Sequence, residues 1–314
     1  MTRPFRFGML SAAGDPVGWQ RDVSRAEGDG YSTMVLTDHL DLSGAHVTQL
    51  SWLPAFADAL ARTSTLHASV MVANQDLRHP AVLAREVTTL DRLSGGRIEL
   101  GLGAGWTEQE YAWAGIDFDP VGTRVGRLAE YAAVVRGLTT AGPECFSFAG
   151  SHFTITDMPV APLPTHGRLP IMIGGARPRV LSIAARLADV VSLNTLRDHG
   201  PADEVLSEKA GWVAAAAGER IAEIELAMSV PIVAGGPGSP VAELSRAIGQ
   251  DRFAQHLASQ LPLDDLAATA LVLAGSTTAI VDRLLEWRER HGVTYVVVPD
   301  HAAEVMAPVI EKLA

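Results

Sequence analysis

Short β-branched runs alternate along this chain with amphipathic stretches rich in alanine, leucine and arginine. The runs are Phe5–Leu10, Thr33–Thr37, Leu66–Val72, Ile98–Leu102, Pro170–Ile173, Asp189–Leu193, Ile224–Val230 and Thr294–Val298, eight in all. None alternates strictly between polar and apolar positions, as expected of strands buried on both faces of a parallel sheet. Between them the apolar spacing predicts helices over Pro16–Gly28, Pro80–Leu93, Arg124–Leu138, Pro178–Leu187 and Thr278–Arg290. Asp15 before Pro16 supplies a cap followed by proline at the first helical position, and Gly28 closes that helix. Eight strand–helix alternations place the chain in the α/β class, as a closed barrel or a doubly wound sheet.

One segment interrupts the rhythm. Between Gly142 and Pro170 stand CFSFAG and SHFTI, two strand-like pieces joined at Gly150-Ser151, followed by Pro159, Pro162 and Pro164. This reads as an inserted hairpin and loop (residues 142–170), with Cys145–Thr156 as an excursion from the main fold. Gly235–Pro240 reads as a long loop leading into two or three helical pieces. Loops of this length in a barrel often serve as lids or substrate walls.

The 314 residues fit one α/β barrel spanning 1–314. Hydrophobic residues make up 47% and charged residues 19%, which suits a large core and not a disordered chain. The net charge of −11 gives no counterion-release gain on a polyanion, so nucleic acid is not an expected partner. Cys145 is the single cysteine, so neither an internal disulfide nor a thiolate-rich metal site is available. MTRPFRFGML lacks a signal-type apolar region, and no apolar run approaches the roughly 20 residues of a membrane span. A soluble cytoplasmic protein acting on a small molecule is expected, with no membrane partner; a homodimer is left open.

Candidate chemistry gathers where strands end. Asp38-His39 follows the second strand. A histidine at the carboxyl end of a barrel strand can exchange protons near neutrality or bond an aromatic cofactor, whereas the plainer reading is a capping Asp and a surface His. Asn74, just beyond the third strand, can bond a ligand or close a turn. Gly103, Ala104, Gly105 and Trp106 end the GLGAGW segment, where glycine permits close backbone approach; its third glycine falls one place short of a dinucleotide fingerprint. Gly174, Gly175, Ala176 and Arg177 stand between the fifth strand and a helix, the arrangement in which free amides and the helix dipole bind an anion. The plainer alternative is a left-handed glycine turn. No G-x-S-x-G, H-E-x-x-H or Walker A sequence is present.

In this order, TDHL (Thr37–Leu40), RHPAVLAREVTTLDRLSGGRIELGLGAGW (Arg78–Trp106), LPIMIGGARPRVLSIAARLADVVSLN (Leu169–Asn194) and GVTYVVVP (Gly292–Pro299) resemble the luciferase-like monooxygenase family. The resemblance covers nearly the whole chain and is strongest to the actinobacterial branch that uses coenzyme F420, a 5-deazaflavin. It implies a single (β/α)₈ TIM barrel with the insertion after the fourth βα unit. It implies a ring cofactor over the strand ends and its phosphate at Gly174-Gly175-Ala176. It also implies a non-proline cis peptide at Ser69-Val70 behind the ring, making Ser69 and Val70 cofactor contacts. Asp38 and His39 match a pair near the ring. The catalytic glutamate of the sugar-phosphate dehydrogenases would fall at Trp106, so sugar-phosphate oxidation is disfavoured and an apolar or planar substrate is expected. The implied function is hydride transfer between F420 and a small organic substrate, in the direction of reducing an activated C=C or C=N bond. His39 would be proton donor or ring partner, with Asp38 holding it or the ring's polar edge. An FMN-dependent monooxygenase and a non-catalytic cofactor binder are the alternatives.

Overall fold

The structure is a computed structural model describing residues 3–40, 49–140, 142, 144–249 and 252–313. In chain order its first half runs β1 (Arg6–Leu10), α1 (Pro16–Gly28), β2 (Thr33–Leu36), α2 (Trp52–Arg62), β3 (His67–Asn74), α3 (Pro80–Ser94), β4 (Ile98–Gly103), α4 (Glu108–Ala114) and α5 (Val121–Leu138). The insertion follows as β5 (Cys145–Ala149) and β6 (Thr154–Pro159), and the chain returns through β7 (Ile171–Gly175), α6 (Pro178–Leu187), β8 (Val190–Leu193), α7 (Ala202–Ala217) and β9 (Glu225–Ser229). It ends with β10 (Ile232–Gly235), α8 (Pro240–Ile248), α9 (Arg252–Ala258), α10 (Leu263–Ala268), β11 (Val272–Gly275), α11 (Thr277–His291), β12 (Val293–Pro299) and α12 (Ala303–Leu313).

Eight strands close a barrel in the order β1-β12-β9-β8-β7-β4-β3-β2, every neighbouring pair parallel. This settles the closed barrel against the open sheet, and each barrel strand overlaps one of the runs read from the sequence. Two faces must be covered. Val35, Met172, Val190, Ala227, Tyr295 and Val297 fill the barrel interior, while outward residues such as Val70, Leu100 and Ile173 pack under the helices. The helices start where the sequence supplies caps: Asp15 accepts from the Val17 and Gly18 amides, and Ser276 from Ala279.

The insertion forms an antiparallel hairpin, β5 with β6, separate from the barrel sheet. Glu130 of α5 anchors its tip by accepting from the amides of Ser151, His152 and Phe153. The 230–275 region contains a parallel pair, β10 with β11, covered by α8, α9 and α10 around a small core of its own. Its helices are those expected after the Gly235–Pro240 loop, whereas β10 and β11 were not expected. Among the described residues, no helix is long and apolar enough to cross a membrane.

All eight barrel strands run the same way, so their carboxyl ends share one mouth. The amino ends are closed by a polar cluster. Arg6 opens β1, and its guanidinium lies 2.7 Å from Glu225 and 3.4 Å from Glu99, while Ser69 Oγ donates to Glu99 Oε1 at 2.9 Å. Ser69 therefore belongs to the floor of the barrel and not to a cofactor contact. This corrects its assignment to the mouth.

Candidate active site at the carboxyl mouth of the barrel

β3 and β4 shape one side of the mouth. β3 pairs with β4 in regular register through Val70↔Leu100, breaks, and resumes at Ala73↔Leu102. Met71 and Val72 form the irregularity, and the cis peptide joins them. The expected position, Ser69-Val70, is thus corrected by two residues: Ser69 and Val70 still sit in the regular ladder opposite Glu99 and Leu100. Val70 turns outward into the helix-facing core. Met71 and Val72 pack against the interior cluster near the mouth instead.

The glycines of β4 and β7 make room for this bulge. A Cβ on Gly103 would lie 2.4 Å from one methyl of Val72, and Cβ atoms on Gly101 and Gly174 would lie 3.2 and 3.1 Å from the other. Gly103 and Gly174 are therefore explained by the Val72 side chain. Gly105 answers to a different demand. Its φ is +69°, and a Cβ there would lie 1.9 Å from the Tyr111 hydroxyl and 2.9 Å from Asn74 Oδ1.

Asp38 and His39, adjacent in sequence, have separate partners. Asp38 Oδ2 accepts from the Asn74 amide at 3.0 Å, and Arg78 Nη1 donates to both Asp38 oxygens at 3.2 and 2.9 Å. Asp38 therefore ties the β2 and β3 loops together. Its expected role of holding His39 is taken by Glu110 of α4. His39 Nδ1 lies 2.9 Å from Glu110 Oε2, and the Leu40 amide donates to Glu110 Oε1 at 2.6 Å. The Glu110 side chain is only 3% exposed. The His39 ring also meets Trp106 edge to face, with centroids 5.7 Å apart and planes at 82°. Trp106 itself is 60% exposed, with the Arg197 guanidinium 5.6 Å from its ring centre.

Asn74 works locally. Its Oδ1 accepts from the Asp76 amide at 3.1 Å and lies 3.1 Å from the Tyr111 hydroxyl, which is 2.7 Å from Asp76. Burial, reinforced by Asp76, pushes the Tyr111 phenol up to about 12, so it stays a neutral donor. Arg124 donates to the Gly105 carbonyl at 2.7 Å and fixes the turn that presents Ala104 and Trp106.

On the other side of β4 from β3, β7 runs into α6 through Ala176 and Arg177. Arg177 occupies the N-cap position, and no side chain caps this helix. The Arg177 side chain is 67% exposed, and Arg179 is exposed beside α5. A buried lysine from α7 organises the turn. Lys209, 1% exposed, donates to the Ala176 carbonyl at 2.7 Å and lies 2.9 Å from Asp198. In a trans peptide the C=O and N–H point opposite ways, so a carbonyl drawn inward to Lys209 turns the Arg177 amide outward. Gly175 faces the helix: its Cβ would lie 2.6 Å from a Val180 methyl.

Of the residues singled out in the sequence, Asp38, His39, Asn74, Gly103, Ala104, Gly105 and Trp106 converge around the β2–β4 ends. Gly174, Gly175, Ala176 and Arg177 lie beside them, at the end of the neighbouring strand β7. Ser69 and Val70 do not reach the mouth. Glu110, Arg78 and Lys209 escaped the sequence reading, although Glu110 stands one helical turn beyond Trp106 in TEQEY.

Residues 3–295 match the luciferase-like monooxygenase family. The pyrimidine monooxygenase RutA of Bradyrhizobium sp. (strain BTAi1 / ATCC BAA-1182) is 36% identical over 114 residues, 35% of this chain and 30% of that protein. Across the first three relatives of this kind, the match spans about a third of their length, from 30% to 38%. The F420-dependent glucose-6-phosphate dehydrogenase of Amycolatopsis mediterranei is 24% identical over 274 residues, 82% of this chain and 80% of that one. The coenzyme F420-dependent tetrahydromethanopterin reductase of Methanopyrus kandleri superposes with a TM-score of 0.78 at 21% identity, covering 99% of this chain and 100% of that chain, a likeness of fold. A closed parallel barrel whose mouth carries these groups, and a family match running from its first residues into its last barrel strand, lead to one conclusion: the chain belongs to the luciferase-like monooxygenase family.

Proposed function

We propose that this protein is an F420-dependent oxidoreductase that transfers a hydride between the deazaflavin and a small organic substrate, reducing an activated C=C or C=N bond. The observation that carries the reading is the uncapped start of α6, with its outward-turned Arg177 amide and the exposed Arg177 and Arg179 side chains. Backbone amides and the helix dipole suit a phosphate. F420 carries an acidic tail beyond its phosphate, and two exposed arginines suit it in a protein whose net charge is −11.

The donor set fits the group part by part. The Arg177 amide and those of the first turn of α6 would hold the phosphate. Met71, Val72 and Ala104 would offer the ring an apolar wall, with His39 as a candidate partner at its edge. When bound there, a 5-deazaflavin supplies two-electron hydride transfer at carbon and reacts poorly with oxygen in its reduced form. The chain's own part is orientation and proton handling. Trp106 adds an exposed aromatic face that favours a planar or apolar substrate.

The likeness to the pyrimidine monooxygenase supports a second reading, an FMN-dependent monooxygenase, over 35% of the chain. A non-catalytic cofactor binder would show no turnover with either cofactor. The test is to incubate the protein with reduced F420, without oxygen, against a panel of activated alkenes and imines. Substrate-dependent return of the oxidised deazaflavin absorbance supports the proposal. Its absence with every acceptor, alongside tight F420 binding, favours the binder.

A further inference from the structure

Hydride chemistry at carbon is coupled to a proton, and the contact between Glu110 and His39 selects the atom that handles it. Glu110 is buried; its Oε2 faces His39 Nδ1 at 2.9 Å and its Oε1 accepts from the Leu40 amide at 2.6 Å. A carboxylate oxygen can only accept, so the proton in the first contact belongs to Nδ1. The Leu40 bond fixes the carboxylate relative to the backbone next to His39, and Trp106 packs edge to face against the ring. A half-turn of the ring puts a carbon where Nδ1 stands and so breaks the bond to Glu110.

We propose that Glu110 is a positioning residue that locks neutral His39 in the Nδ1–H tautomer, leaving Nε2 as the atom that exchanges a proton with the substrate. The assignment of a proton-transfer role to Nε2 rests on the oxidoreductase reading above; the tautomer itself does not depend on which cofactor binds. The lock gives the histidine a direction. A substrate that surrenders a hydride from carbon, with oxidised deazaflavin as acceptor, passes the accompanying proton from its oxygen or nitrogen to Nε2 and leaves an imidazolium. In the reverse sense a substrate carbon gains the hydride, and the heteroatom or adjacent carbon takes the proton from Nε2–H of that imidazolium, leaving the neutral ring. The neutral ring has no proton at Nε2 to give, so the reducing direction draws only on the imidazolium. The carboxylate, only 3% exposed, acts from behind the histidine.

Nitrogen-15 NMR of the ring tests this on the intact wild-type protein, without substrate or cofactor. With the imidazole neutral, Nδ1 of His39, assigned by its loss in His39→Gln, should give a protonated, pyrrole-type shift and Nε2 an unprotonated, pyridine-type shift. In Glu110→Gln, whose amide can donate as well as accept, that preference should be lost, and Glu110→Asp should restore part of it. A wild-type ring protonated at Nε2, or a folded Glu110→Gln ring with an unchanged tautomer, overturns the proposal. If Glu110→Gln does not fold, the wild-type spectrum alone decides it. An F420 titration on the same samples separates the two claims: failure to bind F420 defeats the cofactor reading and leaves the tautomer result standing.

Discussion

His39 is held between a buried carboxylate and an exposed indole, a setting that stabilises one ring orientation. His39→Ala is therefore expected to lower turnover roughly 10²-fold while changing F420 affinity by much less. Parallel kinetics and cofactor titration check this, and unchanged turnover would remove His39 from the chemistry. The sequence displayed Asp38-His39 because the pair directly follows a β-branched run. It concealed the partner of His39, since Glu110 lies 71 positions away and only barrel closure brings it near. Ser69 was misplaced for a related reason. Where a bulge begins depends on the pairing of β3 with β4, and that ladder stays regular through Val70.

At the scale of elements, the start of α6 offers the sharpest test. Gly175→Asp would disturb Val180 before it disturbed any anion, because the Gly175 Cβ direction points into the helix. Replacing the exposed Arg177 and Arg179 together by Glu avoids that fault. This variant should bind F420 at least tenfold more weakly and leave affinity for the phosphate-free deazaflavin chromophore within threefold, since like charge repels only the anionic part. Equal losses for both ligands would place the phosphate elsewhere. Lys209→Met should cost about 2 kcal/mol in denaturant unfolding, because the Ala176 carbonyl loses its buried donor and Asp198 its nearer partner, while Arg177 stays 3.7 Å from that carboxylate. An unchanged midpoint would mean the pair adds nothing to the fold. The barrel strands and several helices were legible because period and caps agreed, as at Asp15-Pro16. The pair β10 and β11 was not: each strand is four residues long, and their pairing lies outside the barrel rhythm.

The whole molecule is built on a barrel with the candidate site at one end and a charged floor at the other, and the floor sets a pH dependence. Burial raises the Glu99 carboxyl above its ordinary value of 4.5, with the Arg6 guanidinium opposing and not cancelling the effect. A carboxyl with a higher pKa folded than unfolded holds its proton more tightly in the folded state. Its contribution to stability is complete below 4.5 and is lost as pH rises through the raised value. Glu99→Gln keeps the group neutral, so its stability relative to wild type should improve steadily across that window in urea unfolding. A difference independent of pH would contradict the account.

The central claim, that a deazaflavin and not a flavin works at the carboxyl mouth, is tested most directly by comparing cofactors on purified protein. F420 and FMN are titrated separately by fluorescence, and oxygen uptake is followed with each reduced cofactor and a substrate panel. The account expects F420 to bind with micromolar or tighter affinity, FMN to bind more weakly, and oxygen consumption to stay near background. Purification with stoichiometric FMN, together with substrate-dependent oxygen uptake, would contradict it and establish the monooxygenase reading.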